Sequence, residues 1–227
     1  MINSDKEFLP SVEADGVGRY YKSPTKNKWY PSVTTVVNHL DAEKWKEWRT
    51  DPKNLETSQK AIARGNQMHL LAEKYLTDGT VPTSEEDSMR FDALLPMMKN
   101  IGEIYAIERP LWSDHLMLAG RTDCIGEYNG NPAIIDFKTS SKKKKKSWIT
   151  NYFHQATAYS YMWEERTGQR ITDLVVLIVS DDGSSQEFVE HRNDYREGLA
   201  NVIRSYWEKY NFKQVQEIAN ELAQKNT

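Results

Sequence analysis

The clearest pattern of apolar and polar positions lies between Leu118 and Lys138, where it reads as a β-hairpin. Leu118–Tyr128 and Asn131–Lys138 are the arms. Asn129-Gly130 suits a two-residue type I′ turn, in which both positions need positive φ. With those two residues as the loop, Tyr128 faces Asn131, and counting back sets Asp123 directly opposite Asp136. Opposed residues share a sheet face, with Cβ atoms roughly 4.5–5.5 Å apart. Lys138 joins them by the period of two, while Ile135 and Phe137 point to the other face and anchor the strand.

Periodicity predicts the remaining elements. Residues 1–17 are polar and irregular and read as a loosely held arm. Gly18–Lys22 and Lys28–Tyr30 are short strands joined by a turn-rich, basic linker. Ser32 caps a helix running to about Leu40, and a second helix covers Ala42–Arg49, whose Trp45 and Trp48 are expected to pack between helices. Ser58–Leu76 is a helix with Met68, Leu71, Ala72 and Tyr75 on its apolar stripe and a glycine stop at Gly79. Glu86–Ile104 is expected to be another, with Phe91, Leu94, Leu95, Met98 and Ile101 at 3-and-4 spacing. Ala106–Trp112 is a strand holding Glu108. Tyr152–Thr167 is a helix closed by Gly168, and Ile171–Ser180 contains L-V-V-L-I-V, a strand buried on both faces. After the turn at Asp181-Asp182-Gly183, Gln186–Glu190 returns as an edge strand. Asp194–Gln224 is helical with a break near Asn211. The expected fold is α/β, a central mixed sheet of about five strands with helices on both faces.

Composition narrows the class. At 227 residues the chain is expected to be a single domain: 1–84 as arm, small hairpin and helical cap, 85–193 as core, 194–227 as C-terminal helical region. Charged residues make up 28% and the net charge is −3, so a surface for polyanions has to be local. No apolar run approaches the roughly 18–20 residues of a membrane span, and no signal-peptide pattern opens the chain. The one cysteine, Cys124, excludes an intramolecular disulfide, an iron–sulfur cluster and a Cys-rich zinc site. Together these features lead us to expect an intracellular protein without a membrane or disulfide-linked partner, in the cytoplasm of a bacterium or phage-infected cell rather than an organelle.

Candidate chemistry gathers around the hairpin. Two opposed carboxylates repel unless a cation lies between them, and hard cations such as Mg²⁺ take carboxylate oxygens. His69 and Glu73 are one helical turn apart and project together. Directly after the second strand come Lys142, Lys143, Lys144, Lys145 and Lys146, a basic loop suited to a nucleic-acid backbone, with Trp148 and Tyr152 placed to stack on bases. Gln155 and Tyr159 lie one turn apart on the next helix.

Asp123, then Asp136-x-Lys138 on paired strands, then a helix carrying Q-x-x-x-Y, resembles the PD-(D/E)XK nuclease superfamily. The G-x-x-x-H of Gly65–His69 and the Q-x-x-x-Y of Gln155–Tyr159 resemble its RecB-type exonuclease branch. P-S-V-T-T-V at Pro31–Val36, W-x-x-W-R at Trp45–Arg49 and I-I-D-F-K-T-S at Ile134–Ser140 are similar to the mitochondrial genome-maintenance exonucleases and related phage exonucleases. The resemblance spans Trp29 to about Ser180. It implies Mg²⁺ or Mn²⁺ held by Asp123 and Asp136, with the Phe137 carbonyl as a further ligand and His69 completing the shell. Lys138 would orient or activate the attacking water, Gln155 and Tyr159 would position Lys138 or the DNA backbone, and Glu108 and Glu73 would be auxiliary acids. The N-terminal helices would arch over the site. The implied activity is a DNA exonuclease acting on single strands or free ends in replication, repair or recombination. Alternatives are a structure-specific endonuclease with the same site and a non-catalytic DNA-binding module. Thr122 stands where the superfamily name has proline, and cluster-binding cysteines are absent.

Overall fold

In the computed structural model, which describes residues 9–14 and 17–225, a five-stranded mixed sheet lies between two helical layers. Its strands are β4 (Ile101–Ser113), β5 (Leu118–Tyr128), β6 (Asn131–Ser140), β7 (Asp173–Ser180) and β8 (Ser185–His191), in that spatial order. Only β6 and β7 are parallel. A separate antiparallel sheet holds β1 (Ser11–Ala14), β2 (Gly18–Lys22) and β3 (Trp29–Pro31). The expected arm is therefore a paired strand over 11–14, and the rest of that expectation, at 1–8 and 15–16, lies outside the described residues.

The helices start and stop where their caps dictate. Ser32 accepts the Thr35 N–H at 3.0 Å and opens α1 (Val33–Val37), which is shorter than expected. α2 (Ala42–Trp48) follows. α3 (Pro52–Asp78) begins six residues earlier than its apolar stripe suggests, because Asp51 caps it and Pro52 occupies its first turn; left-handed Gly79 ends it. α5 (Thr150–Thr167) ends at left-handed Gly168, and α6 (Arg192–Lys209) and α7 (Phe212–Lys225) are separated at Tyr210-Asn211.

Two expectations are corrected. α4 is Glu85–Met98, so Ile101–Ile104 belong to β4 and not to the helix. Their spacing continues the helical stripe, but Ile101 pairs with Tyr128, and the Asn100 carbonyl accepts the Asn129 N–H at 3.0 Å. The full length of β5 thus finds a partner, and tertiary pairing overrides the local period. Trp45 and Trp48 do not pack between helices. They are 51% and 38% exposed and meet edge to face at 5.6 Å.

The sheet alternates between two cores. Ile125, Ile134, Leu174, Val176 and Ile178 face α1, α5, α6 and α7, whereas Cys124, Ile135, Phe137, Val175, Leu177 and Val179 face α3 and α4. α2 buries no residue and the first half of α3 is largely exposed, so this stretch stands clear of the core. No helix among the described residues is long and apolar enough to cross a membrane.

Candidate active site

The site forms where the sheet forks. Asn129 (φ 50°) and Gly130 (φ 82°) make the tight turn, and the β5–β6 pairing runs from Tyr128–Asn131 to Cys124–Ile135. That register carries Asp123 opposite Asp136. Main-chain pairing stops there, although β5 continues along β4 and β6 along β7. Across the fork, Asp123 Oδ2 accepts the Phe137 N–H at 2.9 Å, a buried side chain standing in for the next ladder bond. The freed edge of β5 is met just after β3 by an isolated parallel bridge between Ser32 and Ala119.

Three elements from different parts of the chain converge on this fork. His69 on α3 lies with Nε2 2.7 Å from the Phe137 carbonyl and 3.5 Å from Asp123 Oδ2. Glu108 sits between the pairs Ile107–Cys124 and Arg109–Thr122, which places it beside Asp123 on the neighbouring strand. Its φ of 47° is left-handed, a conformation that costs a non-glycine residue about 1–3 kcal/mol and that gathers at functional sites. His69, Glu108 and Asp123 each offer a ligand atom within 4.8 Å of the others. Burial, and then the charge of Asp123, pushes the Glu108 carboxyl up to about 7, although Arg121 pairs with it at 2.7 Å. Glu73 is half-buried one turn beyond His69, and its charge bears on Glu108.

Asp136 stands outside that trio but adjoins it. Gln155 Nε2 donates to Asp136 Oδ1 at 3.2 Å, and the Lys138 ammonium lies 2.5 Å from Oδ2. The second contact is a close, buried, charge-assisted pair. Burial pushes the Asp136 carboxyl up to about 6, with Asp123 adding to the rise and Lys138 opposing it. For Lys138, burial works to lower the ammonium pKa, but Asp136 and Asp123 outweigh it and the net direction is up. Lys138 is therefore a cation held by carboxylates.

Tyr159 packs closely on β5. A Cβ at Gly120 would come within 2.8 Å of its hydroxyl oxygen and 2.9 Å of its ring, so only glycine admits this approach. Burial, followed by Asp123, raises the Tyr159 phenol well above its ordinary value, and it stays a neutral donor. Tyr152, expected to stack on bases, is half-buried with its ring 5.3 Å from the Lys138 ammonium. It belongs to the lysine's surroundings. Trp148 is 55% exposed with Lys145 Nζ 5.4 Å from its ring. The lysine loop is pinned to the β8 edge: Gln186 donates to the Lys144 carbonyl at 2.9 Å and accepts the Lys144 N–H at 2.6 Å, and Lys146 pairs with Glu190 at 2.6 Å. Lys142, Lys143 and Lys145 remain exposed.

The pairing of Arg121 with Glu108 was not anticipated. Alternation along β5 puts Arg121 on the face of Asp123, and that was the available signal. The left-handed backbone of Glu108 left no trace in the sequence.

The family model of the PD-(D/E)XK nuclease superfamily matches residues 95–225. Mitochondrial genome maintenance exonuclease 1 of Homo sapiens is 23% identical over 230 residues, covering 92% of this chain and 64% of its own length. The protein of the same name from Mus musculus is 26% identical over 158 residues, covering 63% of this chain and 46% of its own. The chain thus spans between about half and two thirds of the length of these curated relatives. Among solved structures, SSO0001 aligns at 14% identity and a TM-score of 0.39 over 76% of this chain and 74% of its own, a likeness too loose to carry an argument.

Proposed function

Because the chain belongs to the PD-(D/E)XK nuclease superfamily, we propose that it is a metal-dependent nuclease hydrolysing phosphodiester bonds of DNA from single strands or free ends. Replication, repair or recombination is the natural setting. The whole chain acts as one nuclease domain, with residues 1–84 supplying the small sheet and cap, 85–193 the catalytic core and 194–227 the supporting helices. The observation that carries the reading is the convergence of His69, Glu108, Asp123 and the Phe137 carbonyl at the fork, with Asp136 and Lys138 alongside.

The donors fit a hard divalent cation. Carboxylates and a carbonyl dominate, which suits Mg²⁺ or Mn²⁺, and one imidazole is compatible with Mn²⁺. Crowded acids, two of them with raised pKa values, are what a cation in this place would relieve. Asp123, Asp136, Glu108, His69 and the Phe137 carbonyl would hold it, with Nε2 of His69 giving up the contact it makes with that carbonyl. When bound, the metal supplies a Lewis acid for the phosphate oxygens and lowers the pKa of water.

The chain's own residues supply the rest. Lys138 is a poor general base, because its carboxylate neighbours keep it protonated, so it orients the attacking water and stabilises charge developing on the phosphate. Asp136 and the ring of Tyr152 aim the ammonium, Gln155 fixes the Asp136 rotamer, and Tyr159 closes the floor. Lys142, Lys143 and Lys145 carry the strand backbone, with Trp148 beside them for stacking.

The test is an assay of end-labelled linear single strands, linear duplex and circular DNA, each with Mg²⁺, Mn²⁺ or EDTA. Release from ends in metal and none in EDTA is expected. Equal cleavage of the circle would remove end dependence, and no cleavage of any substrate would remove the nuclease reading.

A further inference from the structure

Two cations face each other across the mouth of the fork. Main-chain pairing of β5 with β6 ends at Cys124–Ile135, and the same count carried onward sets Asp123 against Asp136 and Arg121 against Lys138. Each cation is held by an acid: Lys138 Nζ lies 2.5 Å from Asp136, and Arg121 Nε lies 2.7 Å from Glu108. We propose that Arg121 binds the phosphate of the scissile bond, and that Glu108 withholds it until that carboxylate turns to a divalent cation. The proposal rests on the nuclease reading.

Glu108 belongs to two groups at once. Its carboxylate is a donor of the trio with His69 and Asp123, and it is also the one acid paired with Arg121 among the described residues. Two cations drawing on one carboxylate repel each other, so a divalent ion in the trio loosens the guanidinium. The partners differ in freedom. The Glu108 side chain is 11% exposed and hangs from a left-handed backbone, whereas that of Arg121 is 49% exposed. The arginine is therefore the partner that moves. An ion pair open to solvent on one side adds little stability, so its exchange for a phosphate is easily offset.

Position says what the released guanidinium meets. Beyond the last pair, β5 follows β4 and β6 follows β7, so Arg121 stands on one lip of the fork and Lys138 on the other. By the strand period, Arg121 shares the face of Asp123 and Lys138 that of Asp136. A phosphate seated on an ion held by these carboxylates lies between the lips, where a planar guanidinium can take two of its oxygens. Without the ion, Asp136 and Glu108 offset both cations, and Asp123 adds a further negative charge. The metal-free fork then repels phosphate, and Arg121 meets the strand only after the ion has bound.

Binding of fluorescein-labelled oligo-deoxythymidine is followed by anisotropy across a salt series, in EDTA and in Ca²⁺, a hard cation that takes the same oxygen donors. Thermal melts check folding. In Ca²⁺, Arg121→Gln should weaken binding about tenfold, the size of a lost charge-assisted hydrogen bond, and lower the log–log salt slope by about 0.7. In EDTA the same substitution should change binding little, because Glu108 already holds the guanidinium. Glu108→Gln releases the arginine without a metal, so in that background Arg121→Gln should cost about tenfold in EDTA as well. Calorimetric titration with Mn²⁺ in the absence of DNA separates this role from a mere brace. Arg121→Gln should tighten Mn²⁺ binding, since a competing cation is gone, whereas loss of a brace for Glu108 would weaken it. Equal losses in EDTA and Ca²⁺, no loss in Ca²⁺, or weaker Mn²⁺ binding, in a protein whose wild type binds and cuts DNA, would overturn the proposal and leave the nuclease reading standing. If the wild type neither binds nor cuts DNA, both fall.

Discussion

Asp123 Oδ2 accepts the backbone N–H of Phe137 at 2.9 Å, at the step where main-chain pairing between β5 and β6 ends. One side chain thus splices two diverging strands, and its carboxylate faces His69 and Glu108 across the gap. Removing it opens the sheet as well as the site. Asp123→Ala should therefore lower both activity and the melting temperature, leaving the Phe137 N–H buried and unsatisfied at a cost of about 1–3 kcal/mol. Asp123→Asn, which keeps an acceptor oxygen, should recover most of the stability and little of the activity.

Lys138→Ala should reduce the rate of DNA hydrolysis about 10²–10³-fold, the usual loss when a transition-state donor is removed. Its melting temperature should fall less than loss of a buried ion-pair partner usually costs, because Asp136 is already buried with a raised pKa and can accept a proton. Single-turnover cleavage and a thermal melt check the two halves. Unchanged cleavage would take Lys138 out of the mechanism.

The metal-free protein should lose stability as pH rises from about 4 to about 7. Glu108 and Asp136 have native pKa values of about 7 and about 6, above their ordinary 4.5 and 3.8. The native state thus holds more protons than the unfolded chain in that window, and unfolding becomes easier with rising pH. The Glu108 contribution is at most roughly 3 kcal/mol. Melts in EDTA should show the slope, Glu108→Gln should flatten it, and Mg²⁺ or Mn²⁺ should raise the melting temperature more at neutral than at acid pH.

Gly120→Ala would force a methyl group against Tyr159, and overpacking of this kind costs about 1–3 kcal/mol. In a double-mutant cycle, Tyr159→Ala should make the second substitution nearly neutral for stability. An equal loss in both backgrounds would show that the contact is not the reason for glycine.

Replacing Lys142, Lys143 and Lys145 together by alanine should weaken DNA binding and lower its salt slope, since these three are exposed. Replacing Lys146 alone should have a smaller effect than replacing Lys142 or Lys143 alone, because Glu190 already holds it.

The hairpin was legible because every signal for it is local. Asn129-Gly130 fixes the turn, the period of two fixes the faces, and together they set Asp123 opposite Asp136 from sequence alone. Ser32, Gly79 and Gly168 likewise mark helix ends by their own chemistry. The errors lie where local and distant demands conflict. Ile101 and Ile104 fit a helical stripe and a strand equally well, and pairing with β5 decided between them. Trp45 and Trp48 carry no local mark of exposure.

The sequence by itself determined which carboxylates face each other, because a two-residue turn leaves one register. Only the tertiary structure decided what surrounds them. It brought His69 from α3, Glu108 from β4 and Gln155 from α5 to one fork, over separations that no periodicity spans. It also turned the Glu108 backbone left-handed and set the Lys138 ammonium between Asp136 and the Tyr152 ring. These arrangements depend on how three packed layers meet, and the burial that creates them is also what raises the acids' pKa values.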